Sequence, residues 1–288
     1  MQGTVDGFSY GLVTPVAAYL MACLGGALGL RCTTRSLLVA HSWRPGWLAL
    51  GSAAIGSGIW TMHFIAMMGF SVENAPIHYD KGLTFASLAV AIVMVGIGIF
   101  IVGYRGATGA ALFTGGTITG LGVASMHYLG MAGMRLRGTL EYNTFTVSAS
   151  VVIAVVAASA ALWAAAQVRG FLWSLGASLV MGLAVTGMHY TGMAALSVHL
   201  HGSSAAPVGG DSPAELLAPM MIGPLAFLLL AGVIVMFDPL MVMGKADLQS
   251  AAQGQRAPYP VPRSGDRHDP RAGRRPPQHP GSRSPQSW

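Results

Sequence analysis

The sequence predicts an all-α polytopic membrane protein: seven transmembrane helices, N-terminus outside and C-terminus inside, arranged as three two-helix repeats followed by a last helix. Three observations carry this. The chain is 53% hydrophobic and only 9% charged, with a mean hydropathy of +0.56, where an ordinary soluble domain carries about 25% charged residues. It holds seven charge-free stretches close to the roughly 20 residues that a helix needs to cross the hydrocarbon core. A short phrase also recurs three times, as Met62-His63-Phe64-Ile65-Ala66-Met67, Met126-His127-Tyr128-Leu129-Gly130-Met131 and Met188-His189-Tyr190-Thr191-Gly192-Met193.

The expected spans are residues 10–30, 47–70, 83–103, 110–134, 145–168, 171–196 and 216–237. Periodicity cannot separate strand from helix in such apolar runs, but their length and their Leu, Ala and Met content favour helix. A membrane barrel would need alternating segments of about ten residues, and none is present. The first span is expected to be retained, because residues 1–10 carry Asp6 and no basic residue where a cleavable signal has a positive region. The second, fourth and sixth spans each carry one copy of the phrase. The seventh closes at Asp238-Pro239, since proline is a natural helix terminator.

Orientation follows from the basic residues. With the N-terminus outside, the inner segments collect Arg31, Arg35, Arg44, Arg105 and Arg169, together with Lys245 and seven arginines of the tail. The outer segments hold only Lys81, Arg135 and Arg137. The excess of positive charge on cytoplasmic loops therefore favours N-out and C-in, with Arg135 and Arg137 as the exceptions. Residues 1–243 form the membrane domain, and residues 244–288 are expected to be a disordered basic cytoplasmic tail. That tail is rich in Pro, Arg, Gln, Gly and Ser and lacks the apolar content for a packed core. Its charges suit the anionic inner leaflet of a plasma (inner) membrane, a binding partner, or a solvated extension, which is the favoured reading; nucleic acid is not an expected partner.

The histidines lie 64 and then 62 residues apart, a period that fits two spanning helices and a loop. His63, His127 and His189 should share one depth near the outer face, because all three helices run from inside to outside. Aligned on the histidines, the helices share glycine seven residues before (Gly56, Gly120, Gly182) and a small residue five before (Gly58, Gly122, Ala184). A further small residue stands three after each histidine (Ala66, Gly130, Gly192). At about 100° per residue, the glycine, the histidine and the methionine four ahead form one stripe. Small residues on a membrane helix let neighbouring backbones approach closely, so this stripe is expected to face the bundle.

The chemistry follows from the donors. Thioether is soft and imidazole intermediate, a set that suits copper, whereas calcium and magnesium demand oxygen. The outer-loop acids Glu73, Asp80, Glu141, Asp211 and Glu215 lie outside the histidine-bearing spans. His63, His127 and His189 are the first expected metal ligands. Met67, Met131 and Met193 come second, and Met62, Met126 and Met188 are weaker because they sit about 100° off the stripe. Three imidazoles with one open position also suit zinc, and paired histidines suit haem, but neither explains the methionines. A lone histidine near a helix end is more often packing than a ligand, and methionine commonly fills gaps in cores; three copies in phase favour ligation. Phe64, Tyr128 and Tyr190 read as interface anchors. His78, His199 and His201 read as solvated loop residues, and Cys23 and Cys32 as buried thiols without a C-x-x-C motif.

These residues resemble the MHYT domain, a bacterial seven-helix integral membrane sensor module whose namesake phrase stands letter for letter at Met188, His189, Tyr190 and Thr191. The other two copies depart as Met-His-Phe-Ile and Met-His-Tyr-Leu, but keep the Met-His pair, an aromatic and the methionine four residues on. The resemblance covers residues 8–243. It implies a copper site near the outer membrane face that responds to oxygen, carbon monoxide, nitric oxide or the metal itself. Larger members attach cyclic-di-GMP domains or histidine kinases; no such signature follows residue 245 here, so a stand-alone module acting on a separate cytoplasmic partner is expected. An enzyme is not expected, since no nucleophile, base and orienter constellation is visible. A lysine-bound retinal is excluded because Lys81 and Lys245 lie outside the spans. The competing classes are copper handling or transport, which would need further ligand stations along the bundle, and a metal-free scaffold.

Overall fold

Seven helices and three two-stranded ribbons follow one another in a repeating order. The computed structural model describes residues 5–6, 10–72, 77–136, 138–167, 171–200 and 213–238. The first repeat is β1 (Val5–Asp6), α1 (Val13–Ser36), α2 (Arg44–Met68) and β2 (Ser71–Val72). The second is β3 (His78–Tyr79), α3 (Lys81–Arg105), α4 (Gly109–Ala132) and β4 (Met134–Arg135). The third is β5 (Gly138–Tyr142), α5 (Thr144–Gln167), α6 (Phe171–Ala194) and β6 (Leu196–Leu200), and α7 (Pro213–Met236) ends the described chain. In each repeat the strand before the first helix pairs antiparallel with the strand after the second: Val5 with Val72, His78 with Arg135, and Glu141 with Ser197. A ribbon thus ties the two ends of every helical hairpin together at its histidine end.

The all-α class holds, with seven helices, and the ribbons are a small addition to it. Their strands are two to five residues long, too short to leave a periodic signal in sequence. The helix bounds also shift, because the first helix begins three residues later than expected and runs on to Ser36.

Local chemistry sets several helix ends. The Asp80 carboxylate accepts the Leu83 N–H at 3.0 Å, capping α3. That bond comes first, and Arg135 at 3.6 Å second, in holding the Asp80 carboxyl below the usual carboxylate range. Thr108 caps α4 through the Ala111 N–H, and Asn143 accepts the Thr146 N–H at the start of α5. Gly106, at φ +73°, ends α3 in the left-handed region that favours glycine.

The six paired helices close into a ring. Each hairpin packs internally, and α2 meets α3, α4 meets α5, and α6 meets α1. The glycines explain how. A Cβ on Gly56 would stand 2.8 Å from the Ile92 Cα of α3, and one on Gly58 2.6 Å from the Gly25 Cα of α1. Gly120 presses on Val155 of α5 and Gly122 on Met94 of α3, while Gly182 meets Cys23 of α1. The glycine five before the histidine in the first two repeats therefore admits the helix of its own hairpin, and the glycine seven before, in all three, admits the next repeat. This sharpens the expected stripe: its glycines face flanking helices, and the histidines face the centre.

By length and composition, six helices are able to cross a membrane; α4 lies outside that set, diluted by its glycines, threonines and histidine. Large apolar side chains stand exposed around the rim, among them Phe113, Leu172, Leu183 and Leu229, as expected where lipid replaces water. Helix α7 packs on α2 and α1, setting Leu228, Ala231 and Val235 against Leu28, Cys32 and Ala54. Cys23 and Cys32 are buried free thiols, as read from the sequence. The expected tail at 244–288, with Lys245, lies outside the described residues, as do Glu73, Arg137, Arg169, His201, Asp211, Met241 and Met243.

Asp238 does more than close a helix. Its carboxylate takes the Arg35 Nε–H in a pair whose side chains are 4% and 13% exposed, and the Arg35 guanidinium lies over Trp47 at 5.4 Å. Removing one partner of a buried pair costs about 3–5 kcal/mol, whereas replacing both with apolar groups is often neutral. Asp238→Asn should therefore lower the thermal midpoint of the detergent-purified protein, and Arg35→Met with Asp238→Leu should restore it. Circular dichroism melting of the two variants checks the order.

Candidate metal centre

The three repeats deliver their histidines to one point. His63 of α2, His127 of α4 and His189 of α6 are each 1% exposed. Their Nδ1 atoms form a triangle with edges of 3.0 Å (His63 to His189), 3.2 Å (His63 to His127) and 3.3 Å (His127 to His189). The rings stand nearly perpendicular to one another, with centroids 4.9 to 5.1 Å apart and interplanar angles of 77° to 87°. They form a three-bladed propeller.

What fits inside the triangle is a matter of trigonometry. For a metal–nitrogen bond of about 2.0 Å, edges of 3.0, 3.2 and 3.3 Å subtend about 97°, 106° and 111° at the ion. These bracket the tetrahedral angle, so the nitrogens form one face of a tetrahedron with the fourth position open. The donor set suits a cation: three buried imidazole nitrogens, one from each repeat, converge on one point. Imidazole suits zinc, copper, iron or nickel and offers nothing to calcium or magnesium. Edges this short leave no gap for a porphyrin plane between two rings.

The positions around the histidines are specified as well. The ring of His63 lies against Gly130 and that of His127 against Gly192; a Cβ there would stand 2.6 and 2.5 Å from the respective Nε2 atoms. Ala66 takes the equivalent position in α2. The Nε2 atoms of His63 and His127 are buried with no hydrogen-bond partner among the described residues. Metal-bound imidazoles ordinarily hand that second N–H to an outer group; here glycine lies there instead.

The aromatic residue after each histidine packs edge-on against it: Phe64 on His63 at 4.6 Å, Tyr128 on His127 at 4.8 Å and Tyr190 on His189 at 5.0 Å. The expectation that Phe64 is an interface anchor is corrected. It is 0% exposed, wedged beside Trp60, because α2 is the most enclosed of the apolar helices. Tyr128 is half-buried and its hydroxyl meets Ser150 Oγ at 2.7 Å. Met62, Met67, Met126, Met131 and Met188 are buried in the core and Met193 partly so. His78 is exposed, while His199 faces Glu141 at 3.3 Å. The Arg35–Asp238 pair escaped sequence reading, since its members are 203 residues apart.

A family model described as a bacterial signalling protein N-terminal repeat, MHYT, matches residues 56–115 and 120–178. The chain is 34% identical over 235 residues to the bifunctional diguanylate cyclase/cyclic di-GMP phosphodiesterase MucR of Pseudomonas aeruginosa, covering 80% of this chain and 34% of that protein. It is 34% identical over 209 residues to the cyclic di-GMP phosphodiesterase NbdA of the same organism, covering 68% of this chain and 26% of that one. It is also 31% identical over 186 residues to the signaling protein YkoW of Bacillus subtilis, covering 62% and 23%. The chain thus spans about a third or less of the length of these relatives. No solved structure matches it.

The packing of rings on glycine gives a sharp expectation. Gly192→Ala overpacks the His127 ring and should cost about 1–3 kcal/mol. Gly187→Ala, on the same helix with nothing within 4 Å of the added Cβ, should cost nothing. Thermal denaturation of both variants in one detergent tests the difference.

Proposed function

This chain belongs to the MHYT family, and from that premise we propose that it is a copper-dependent sensor of the bacterial inner membrane. The carrying observation is the triangle of buried Nδ1 atoms with edges of 3.0 to 3.3 Å. His63, His127 and His189 would hold the ion, and the buried methionines that flank each histidine in sequence tilt the choice from zinc to copper. Copper, if held by these three nitrogens, would supply affinity for a small diatomic ligand such as oxygen, carbon monoxide or nitric oxide. The protein's part is to fix three nitrogens in place, keep water out, and link the site to three hairpins that move together.

We read all seven helices as membrane spans, N-out and C-in. Helix α4 is packed between α3 and α5 and carries its histidine in the same register as α2 and α6, which supports counting it with the others. The histidine ends then face outward, with Arg35, Arg44 and Arg105 at the opposite, cytoplasmic ends. The output is passed to a cytoplasmic module; the names of MucR and NbdA point to cyclic di-GMP turnover as the process served. The membrane part itself is read as non-enzymatic. Sensing is favoured over transport because, among the described residues, the three histidines are the one group of three or more His, Cys, Asp or Glu side chains placed to share an ion. An ion moving inward would find no second station of that kind.

Purified in detergent, the protein should carry about one copper per chain, and His63→Ala, His127→Ala or His189→Ala should each remove most of it. Elemental analysis with melting curves as a folding control decides this. Copper absent from the native protein, or unchanged in the variants, would sink the reading.

A further inference from the structure

Inward of the histidines lies a cavity of about 40 Å³. Its lining is ordered by the repeat. Ile59, Val123 and Val185 each precede a histidine by four residues, and Ile55, Thr119 and Met181 each by eight. At 1.5 Å per residue, these layers lie about 6 and 12 Å below the nitrogen triangle. Met188, next to His189, also borders the space. One polar side chain faces it: Thr119, 6% exposed, whose hydroxyl has no hydrogen-bond partner among the described residues. A void of this size would admit about two or three waters, but apolar cavities stay dry and take up small apolar molecules instead.

A second hollow, about 440 Å³, opens on the rim between α5 and α6. Small residues make it, among them Ala160, Ala164 and Gly176, and its wall is shared with the cavity through Ala157, Ala161 and Met181. Met181 is 8% exposed, an unbranched and mobile side chain standing between the two spaces. Nothing charged lines either one.

Resting on the sensor reading above, we propose that the cavity is a dry antechamber for an uncharged, dioxygen-sized molecule, which enters it from the lipid phase between α5 and α6, past Met181. The hydrocarbon core then serves as the reservoir, and the signal molecule approaches the histidines from within the membrane. Thr119 supplies the single hydrogen bond available to a ligand with a weakly polar end.

Xenon is a suitable probe, studied by xenon-129 exchange NMR on the full chain in lipid nanodiscs. The native protein should show one saturable site. Val185→Trp should abolish it, and Ala158→Ile, a milder filling, should weaken it at least about fivefold. Gly176→Leu with Ala160→Leu, which add bulk only on the lipid side, should slow exchange about tenfold while leaving affinity within about twofold. Met181→Ala should speed exchange. Absence of a saturable site in the native protein overturns the chamber, and native exchange rates in the groove-filling variant overturn the lateral entrance. Copper is measured on each sample, so a copper-free protein that still binds xenon refutes the metal reading alone.

Discussion

The molecule is arranged around the convergence of three imidazole nitrogens, one from each repeat. Nδ1 of His63, His127 and His189 lie within 3.0 to 3.3 Å of one another, a spacing that suits N–H···N bonds between neutral rings or a shared cation. The surroundings hold the rings at that point. Phe64, Tyr128 and Tyr190 close one flank of each ring, and Gly130 and Gly192 let the Nε2 edges of His63 and His127 come up against the next histidine-bearing helix. Interiors packed at crystal density transmit such constraints over distance. A charge placed at, or lost from, the centre is therefore felt by all three hairpins at once.

The ring of six helices supplies that rigidity without help from the hydrophobic effect, which does not drive helices together in lipid. Close approach does the work instead. Gly58 nests against Gly25 within the first hairpin, and Gly56 against Ile92 of the second. The offset of seven recurs in all three repeats and that of five in the first two, and each histidine-bearing helix packs against a neighbour on either side. The ribbons β1–β2, β3–β4 and β5–β6 lock the hairpin ends beside the site. At the far end the Arg35–Asp238 pair pins the last helix to the first. The bundle thus has a fixed frame at both ends and a soft, dry middle bordered by Ile59, Val123 and Val185.

A signalling role follows naturally from this division. On the proposed reading, a threefold site with one histidine from each repeat would report its occupancy through α2, α4 and α6 together. Those three helices run without interruption to the opposite end, where Arg44 at the start of α2 bonds the Gly103 carbonyl of α3 and lies over Tyr104. About two-thirds or more of the length of relatives such as MucR and YkoW lies outside the part they share with this chain.

How much of this the sequence determined can be read residue by residue. The apolar spans, the register of the three phrases and the shared depth of the histidines were legible, because helical period and repeat length are local properties and each copy corroborates the others. The burial of Phe64, the ribbons and the pairing of Arg35 with Asp238 were not. A two-residue strand has no periodicity, and an ion pair across 203 residues leaves no trace in spacing. The sequence by itself determined which side chains stand at one height on three helices. Only the tertiary structure decided that Nδ1 rather than Nε2 faces the centre, and that the glycines seven residues back turn to flanking helices. Those choices depend on how six helices close into a ring, where each ring rotamer is fixed by a neighbour from another repeat.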